Sequence, residues 1–230
     1  MTNPYREFFQ RPLQGVFGPL AWPGTWARLF YLMLGFPLGL SYFVFYAIGL
    51  GLGVGLLVLA VGALIVAIVF FAALPLGIIE RWLANRLLDA DVGPTGFEAP
   101  GDEGFVEWVK DTLANPVAWK AHLFLLLRFP LGLASWLVAV VTLTVSGAFV
   151  FAPLVVAFGG RVNLGPWSPA TPAEALPLTA LGLLAFLASI HLLNGIAWSW
   201  GALARVLLGR SRYASHEEEA NARRPLPTSG

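Results

Sequence analysis

The sequence predicts an all-α integral membrane protein with four transmembrane helices, and three observations carry this prediction. The chain is 57% hydrophobic and 12% charged, with a mean hydropathy of +0.73, which lies outside the range of soluble globular proteins. Residues 29–79 form a run of 51 without a charged side chain, and 129–160 and 175–204 are also charge-free. Because one crossing needs about 20 apolar residues, the first run has room for two spans and the others for one each.

The first two spans are predicted at about residues 30–49 and 54–77. The glycine-rich stretch Gly49–Gly55 lies between them, and glycine permits the backbone reversal that a tight turn requires. The alternative is that Gly51 and Gly55, which are four residues apart, bring two helices into close contact. We favour the turn.

The third and fourth spans are predicted at about residues 129–152 and 175–204. The residues between them include several glycines and prolines and predict an outer loop at 159–173. Thr171-Pro172-Ala173-Glu174 resembles a capping box with proline at the first helical position. The fourth helix is therefore expected to begin there.

A connecting loop at residues 80–120 is predicted between the second and third spans. Apolar residues recur at helical spacing over 103–114, which predicts an amphipathic helix. This helix can lie on the membrane surface, which is the plainer interpretation. Alternatively it can dock a partner, and the candidate docking residues are Phe105, Trp108 and Val109.

The basic residues predict the orientation of the chain. Thirteen of the fourteen arginines and lysines lie in the N-terminal segment, the middle loop or the C-terminal segment, and only Arg161 lies in the outer loop. The positive-inside rule then places both termini and residues 80–120 in the cytoplasm. We expect a multi-pass protein of the bacterial cytoplasmic membrane, with a cytoplasmic segment at 1–21 and a disordered cytoplasmic tail at 209–230.

A segment of twenty residues occurs twice, at 21–40 and 114–133, with ten identical positions. Each copy ends in Phe-Pro-Leu-Gly-Leu at the start of an apolar run. Since the orientation above gives both copies the same direction, the four spans are predicted to form two parallel-repeat helical hairpins. Each copy is expected to run along the cytoplasmic interface as an interfacial helix and to bend into the membrane at Pro37 or Pro130, although straight spans with mild kinks are nearly as plausible.

Motifs for catalysis and for cofactors are missing from the sequence. It contains no phosphate-binding loop, no HExxH, no GxSxG and no cysteine. Carboxylates are also absent from the predicted membrane interior, which argues against proton-coupled transport. We therefore expect a protein that is not an enzyme and that binds no cofactor, metal or nucleic acid.

Two groups of polar residues are candidates for ligand binding. His191, Asn194 and Ser199 belong to the fourth span, where they can bind a ligand or simply satisfy one another in packing. Arg161 and Trp167 belong to the outer loop, where they can receive an external ligand or form an ordinary interface pair.

A second set of residues is predicted to contact lipid headgroups at the membrane interface. Arg128 can extend its charge to the headgroups, or it can bind a lipid phosphate or a carboxylate; we favour the headgroups. Indole rings prefer the interface. The candidates at the interface are Trp26, Trp82, Trp119 and Arg128.

Residues 115–132 carry a resemblance to a known family. Asn115-Pro116-Val117-Ala118-Trp119-Lys120, followed by Leu125-Leu126-Leu127-Arg128-Phe129-Pro130-Leu131-Gly132, resembles the "putative sensor domain" of bacterial histidine kinases. Tyr31–Gly39 and Glu80-Arg81 are similar to that family's first hairpin and to the pair that follows its second helix. The family has Asp, Thr and Arg where this chain has Asn115, Ala118 and Lys120. We expect the module here to be free-standing, without a kinase domain.

The resemblance, which covers roughly residues 22–208, implies a four-helix module that detects a stimulus of the envelope. Such a module without its own kinase would act through a separately encoded histidine kinase or regulator, with the lipid bilayer as its surroundings and a homo-oligomer as a possible assembly. The alternative is a small transport or lipid-handling protein whose path lies at the repeat interface.

Overall fold

The computed structural model describes residues 22–93, 104–165 and 167–209, and confirms the predicted fold class. Within these residues the chain is helical, with one isolated β-bridge between Leu164 and Trp167. Four of the helices are long and apolar enough to cross a membrane. The helices are α1 (Pro23–Gly55), α2 (Val61–Leu88), α3 (Phe105–Ala114), α4 (Pro116–Val150), α5 (Ala152–Ala157) and α6 (Leu176–Leu208). The segment at 1–21 and the tail from residue 210 lie outside the described residues.

The turn between α1 and α2 lies at residues 56–60, so its predicted position at Gly49–Gly55 is wrong. A short 3-10 turn, Leu57–Leu59, ends at Ala60, whose φ of 58° is left-handed. The glycines lie instead in the last turns of α1. A side chain at Gly53 would contact Val66 of α2 at 2.6 Å, whereas Gly51 and Gly55 face open space. Glycine here permits close packing of α1 on α2, but through different residues than the pair proposed from the sequence.

The other long helices extend beyond the predicted spans. α4 begins at Pro116, thirteen residues before the predicted start at 129, and it continues through Pro130. α1 likewise begins at Pro23 and continues through Pro37. α6 covers Leu176–Leu208. Charge-free runs therefore marked only the apolar part of each helix, because a helix can continue through residues whose charges are buried or exposed to solvent.

The described chain forms two compact units whose boundaries fall inside long helices. Unit 1 contains residues up to Pro37 together with Leu131–Trp198. Unit 2 contains Leu38–Pro130 and the residues from Ser199 onwards. Two of the boundaries coincide with Pro37 and Pro130, the prolines shared by the two copies of the repeat.

In unit 2, α1 runs antiparallel to both α2 and α4. Gly39 of α1 faces the backbone of Arg128 and Phe129 of α4. Farther along α1, the rings of Tyr46 and His122 lie 6.0 Å apart. As residue numbers rise along α1, the numbers of the residues that they contact on α4 fall. The two helices are therefore antiparallel in this unit.

The parallel arrangement predicted for the two copies is therefore not observed. The prediction treated every basic residue between the second and third spans as a loop charge. The structure places Arg81 and Arg86 within α2, and Lys120 and Arg128 within α4. Since the positive-inside rule counts charges in short loops and near span ends, charges that belong to the helices themselves cannot fix the direction of α4.

In unit 1, the two copies of the repeat meet through glycine. A Cβ at Gly35 would lie 3.3 Å from Gly132 of α4, and the rings of Phe36 and Trp136 lie 5.1 Å apart. With the repeat offset of 93, this ring pair corresponds to Phe129 and Phe43, which stack at 4.7 Å in unit 2. Equivalent positions of the repeat thus make equivalent contacts in each unit.

The outer loop of unit 1 has a small apolar core and a capping box. Ala152, Ala175 and Leu178 are buried together. The Glu174 amide donates to the Thr171 hydroxyl at 3.3 Å, and the Glu174 carboxylate accepts from the Ala170 amide at 2.9 Å and from the Thr171 hydroxyl at 3.0 Å. The Thr171-x-x-Glu174 pattern therefore forms its predicted contacts, although α6 itself begins two residues after Glu174.

Replacement of Gly39 by alanine is expected to destabilise the protein. The new Cβ would lie 2.6 Å from the Arg128 carbonyl oxygen and 2.7 Å from the Phe129 Cα, so backbone must shift. Overpacking of this kind costs about 1–3 kcal/mol. Gly51→Ala is the matched control, since it adds the same methyl group to the same helix in open space. Thermal unfolding in detergent should show a lower Tm for Gly39→Ala only; equal Tm values would contradict the α1–α4 contact.

The capping box is expected to depend on pH. The Ala170 amide and the Thr171 hydroxyl hold the pKa of Glu174 below its usual value. The contribution of this contact is therefore complete above the ordinary glutamate pKa and is lost as pH falls through the lowered one. The protection factor of the Ala170 amide against hydrogen exchange should fall only under acidic conditions, and Glu174→Gln should remove that dependence. A Glu174 carboxyl that titrates at its ordinary pKa would contradict the contact.

Candidate functional site

Three helices of unit 2 converge on one pair of buried charges. Glu80 comes from α2, Arg128 from α4 and Trp200 from α6; we call these three residues the charge cluster. The Arg128 Nε lies 3.2 Å from the Glu80 Oε1. The Arg128 guanidinium carbon lies 4.7 Å from the centre of the Trp200 ring, in cation–π geometry.

Both charges of this cluster are completely removed from solvent. The side chains of Glu80 and Arg128 each have 0% exposure. Transfer of an ion from water to a protein interior costs several kcal/mol, which an opposite charge at close range must offset. Each residue therefore depends on the other, and the pair fixes the position of α2 relative to α4.

Small residues allow the helices to approach the charge cluster. A Cβ at Gly77 would lie 3.2 Å from the Ala121 Cβ, so α2 and α4 come close together one turn before Glu80. Gly39 faces the carbonyl group of Arg128 itself. On the α6 side, the Trp200 ring contacts Phe124 edge-on at 5.9 Å. The cluster is thus enclosed by α1, α2, α4 and α6.

A second group in unit 2, the aromatic cluster, contains Tyr46, Phe70, Trp119 and His122. The imidazole stacks on Phe70 at 4.4 Å, and its Nδ1 lies 2.7 Å from the Ala118 carbonyl oxygen. The Tyr46 side chain is 4% exposed, and its hydroxyl has no hydrogen-bond partner among the described residues. The aromatic cluster packs α1, α2 and α4 together. Along α4 it comes before the charge cluster, because Trp119 and His122 precede Arg128 in the sequence.

The interpretation of Arg128 as a residue at the lipid interface is wrong. The guanidinium has no exposed surface and pairs with a carboxylate, which was the less favoured alternative. Glu80, which lies beyond the predicted second span at 54–77, is buried within α2. A buried cation and a buried anion stabilise each other, so neither needs to reach the headgroups.

The three polar candidates on α6 do not form one site. Asn194 is half-buried, and its Oδ1 accepts a hydrogen bond from Arg28 at 3.2 Å. Its Nδ2 donates to the Ile190 carbonyl at 2.9 Å. His191 and Ser199 are both exposed. Asn194 therefore bonds Arg28 within unit 1, and neither of these hydrogen bonds involves His191 or Ser199.

The two outer-loop candidates and the three tryptophan candidates for the membrane interface are all exposed. Arg161 is exposed, and Trp167 is 41% exposed and pairs with Leu164 through backbone hydrogen bonds of 2.9 and 3.3 Å. The exposed fractions of Trp26, Trp82 and Trp119 are 50%, 63% and 56%. The Trp119 indole N–H donates to the Leu113 carbonyl at 2.9 Å. Their exposure is compatible with a location at the membrane interface, but it does not test that prediction.

The candidate docking residues of α3 partly face the chain itself. Trp108 stacks on Phe71 of α2 with ring centres 5.1 Å apart, and Val109 is half-buried. The side chain of Phe105 lies outside the described residues. Glu107, Lys110 and Asp111 are exposed. The apolar face of α3 is thus used in part against α2, and its charged face remains accessible.

Sequence reasoning missed Glu80, Tyr46, His122 and Trp200 as members of a site. One signal was present: Arg128 occupies the position of Gly35 in the other copy of the repeat, so a charge replaces a glycine within an apolar segment. An isolated charge in such a segment predicts a partner of opposite charge. Which carboxylate would be that partner depends on the antiparallel packing, which the sequence did not indicate.

The site offers little for covalent chemistry. Within residues 22–93, 104–165 and 167–209, no group of three metal-ligating side chains comes together. The buried ion pair has no surface open to a substrate. What the arrangement can do is couple the positions of several helices, because each helix supplies a group that the others require.

Comparisons with known proteins identify one family. A family model described as "Putative sensor" matches residues 31–208, which is more than three quarters of the chain. No curated protein and no solved structure matches the chain.

Removal of one member of the ion pair is expected to destabilise the protein more than replacement of both. Glu80→Ala or Arg128→Ala leaves a buried charge alone, which typically costs about 3–5 kcal/mol. The double variant Glu80→Leu/Arg128→Met should recover most of that loss, since an apolar pair of similar volume needs no desolvation. Unfolding in detergent measures the difference, with the exposed Arg86→Ala as control. A double variant whose loss equals the sum of the single losses would contradict the pairing.

Proposed function

Since the chain belongs to the "Putative sensor" family, we propose that it is a non-enzymatic membrane sensor that acts through a separately encoded partner. The observation that carries the proposal is the charge cluster, which links α2, α4 and α6 within unit 2. A sensor needs an element whose alternative packings differ in free energy by an amount that a stimulus can supply. A buried ion pair is such an element, because a change in its geometry either exposes a charge or leaves it buried without its partner.

The segment that follows α2 supports a path for the output. Arg205 of α6 donates to the Ala90 carbonyl at 3.0 Å. The Val92 amide and carbonyl both bond the side chain of Asn85, at 2.6 and 3.1 Å. Ala90 and Val92 are 1% and 3% exposed. A shift of α6 relative to α2 would therefore reach the chain as it leaves α2 toward α3.

The partner in this proposal is a histidine kinase or a transcription regulator of a bacterial cytoplasmic membrane, with both termini of the chain in the cytoplasm. It would contact the charged face of α3, namely Glu107, Lys110 and Asp111, because these residues are exposed. Trp108 is already in contact with Phe71, so it would contribute by holding α3 in place. A homo-oligomer is compatible with this role.

Transport or lipid handling along the repeat interface is the competing function. In unit 1 the two copies touch through Gly35 and Gly132, and in unit 2 through Gly39 and Arg128. These are backbone contacts within each unit, so they favour a packed junction over a path.

Reversal of the α3 charges tests the proposal. We expect Glu107→Lys/Lys110→Glu/Asp111→Lys to lower recovery of a cross-linked kinase or regulator from host membranes at least tenfold, or about 1.4 kcal/mol. The matched control is Asn163→Lys/Ser168→Lys, which changes the net charge by the same amount at two exposed residues of the outer loop and should retain the partner.

The same preparations separate signalling from transport. Equal recovery of the kinase or regulator from both variants would contradict docking on α3. Solute flux in proteoliposomes that contain the purified chain alone, abolished by His191→Ala, would replace the sensor proposal by transport.

A further inference from the structure

The accessible face of α2 beyond the charge cluster carries a groove, which we call the Arg81 groove. Its lining residues are Ile78, Arg81, Trp82 and Asn85, and its volume is about 190 Å³. These residues are spaced at i, i+3, i+4 and i+7, so they form one continuous face of the helix. All four belong to unit 2.

Arg81 supplies a positive charge to this groove. Its side chain is half-buried, and its Nε donates to the Val92 carbonyl at 3.3 Å. Among the described residues it has no carboxylate partner: neighbouring Glu80 pairs with Arg128, and Asp89 and Asp91 are exposed and form no ion pair with it. The remaining N–H donors of a guanidinium match the oxygens of a phosphate or carboxylate.

Asn85 makes the polar wall of the groove rigid. Both polar atoms of its amide are bonded to the Val92 backbone, at 2.6 and 3.1 Å. Because Arg81 is bonded to the same carbonyl group, the guanidinium is held in position before any ligand binds. A positioned charge of this kind binds an anion with less loss of side-chain entropy than a free surface arginine would.

The other wall of the groove is apolar and faces outward. Trp82 is 63% exposed and Ile78 is 42% exposed, as is neighbouring Ile79 at 48%. They belong to a helix that is long and apolar enough to cross a membrane. An exposed indole beside a cation, on the surface of such a helix, is the arrangement found where protein meets lipid headgroups.

We propose that the Arg81 groove binds the phosphate of an anionic membrane lipid, with Trp82 and Ile78 covering the glycerol and the start of the acyl chains. The lipid site rests on the proposed sensor function. It identifies an anionic lipid bound in unit 2 as the stimulus. A lipid is favoured over free phosphate because the groove pairs its one charge with apolar surface, which inorganic phosphate cannot use. Occupancy would pull on the Arg81–Val92 contact and so on the segment that Arg205 also holds.

Lipid selectivity of the purified full chain tests the proposal. In nanodiscs or detergent, native mass spectrometry should show retention of phosphatidylglycerol over phosphatidylcholine by about tenfold, or about 1.4 kcal/mol. Arg81→Ala should abolish this preference, and Arg81→Lys should retain part of it, since lysine keeps the charge without the planar donor pair. Arg86→Ala is the matched control, an exposed arginine of the same helix outside the groove.

A second variant keeps the test decisive if Arg81→Ala does not fold. Trp82→Ala leaves the guanidinium intact and removes apolar cover, so it should weaken the retention of lipid while keeping the preference for phosphatidylglycerol over phosphatidylcholine. Selectivity that is unchanged in Arg81→Ala, or lost equally in Arg86→Ala, would overturn the proposal. Displacement of phosphatidylglycerol by an equal concentration of inorganic phosphate would overturn the choice of a lipid.

Recovery of the partner from host membranes separates this inference from the sensor function itself. If Arg81→Ala still recovers the kinase or regulator while wild-type chain shows no lipid selectivity, the lipid site fails and the sensor proposal stands. If lipid selectivity is found and charge reversal on α3 has no effect on partner recovery, the lipid site stands and the sensor proposal fails.

Discussion

The packing of unit 2 depends on one constraint: Glu80 and Arg128 must meet, because neither charge has any exposed surface. A lone ion in an apolar interior costs several kcal/mol, so any packing that separates them is strongly disfavoured. That requirement sets the positions of α2 and α4 along each other. Trp200 brings α6 into contact with the ion pair by covering the face of the Arg128 guanidinium. Gly39 brings α1 into contact with it by packing against the Arg128 backbone.

The internal repeat explains how such a junction is built from similar segments. Phe36 and Trp136 in unit 1 correspond to Phe129 and Phe43 in unit 2 under the offset of 93, and both ring pairs are in contact. The copies differ where Gly35 corresponds to Arg128. The side chain at that position points to Glu80, while its backbone still packs against Gly39. One copy thus supplies a close backbone contact and the other supplies the charge as well.

The ion pair and the proposed lipid groove share α2 but use opposite sides of it. Glu80 points into unit 2, and Arg81, the next residue, lines the outward groove. The groove reaches the segment at residues 89–93 because Arg81 and Asn85 bond Val92. α6, whose Trp200 covers Arg128, reaches the same segment because Arg205 bonds Ala90. This proximity offers a physical route by which the state of the membrane could influence helix packing.

The sequence by itself determined the all-α class, the four long apolar helices and the family. These follow from composition, from charge-free runs and from local motifs such as Thr171-x-x-Glu174, whose partners are close in the chain. The tertiary structure alone decided that α1 and α4 are antiparallel and that Glu80 is the partner of Arg128. Counting charged residues could not predict the antiparallel packing or the ion pair. A glutamate or an arginine within a helix is the same residue in the sequence whether its side chain faces water, lipid or a buried ion of opposite sign. Only packing brings the residues of the pair, 48 positions apart, to 3.2 Å.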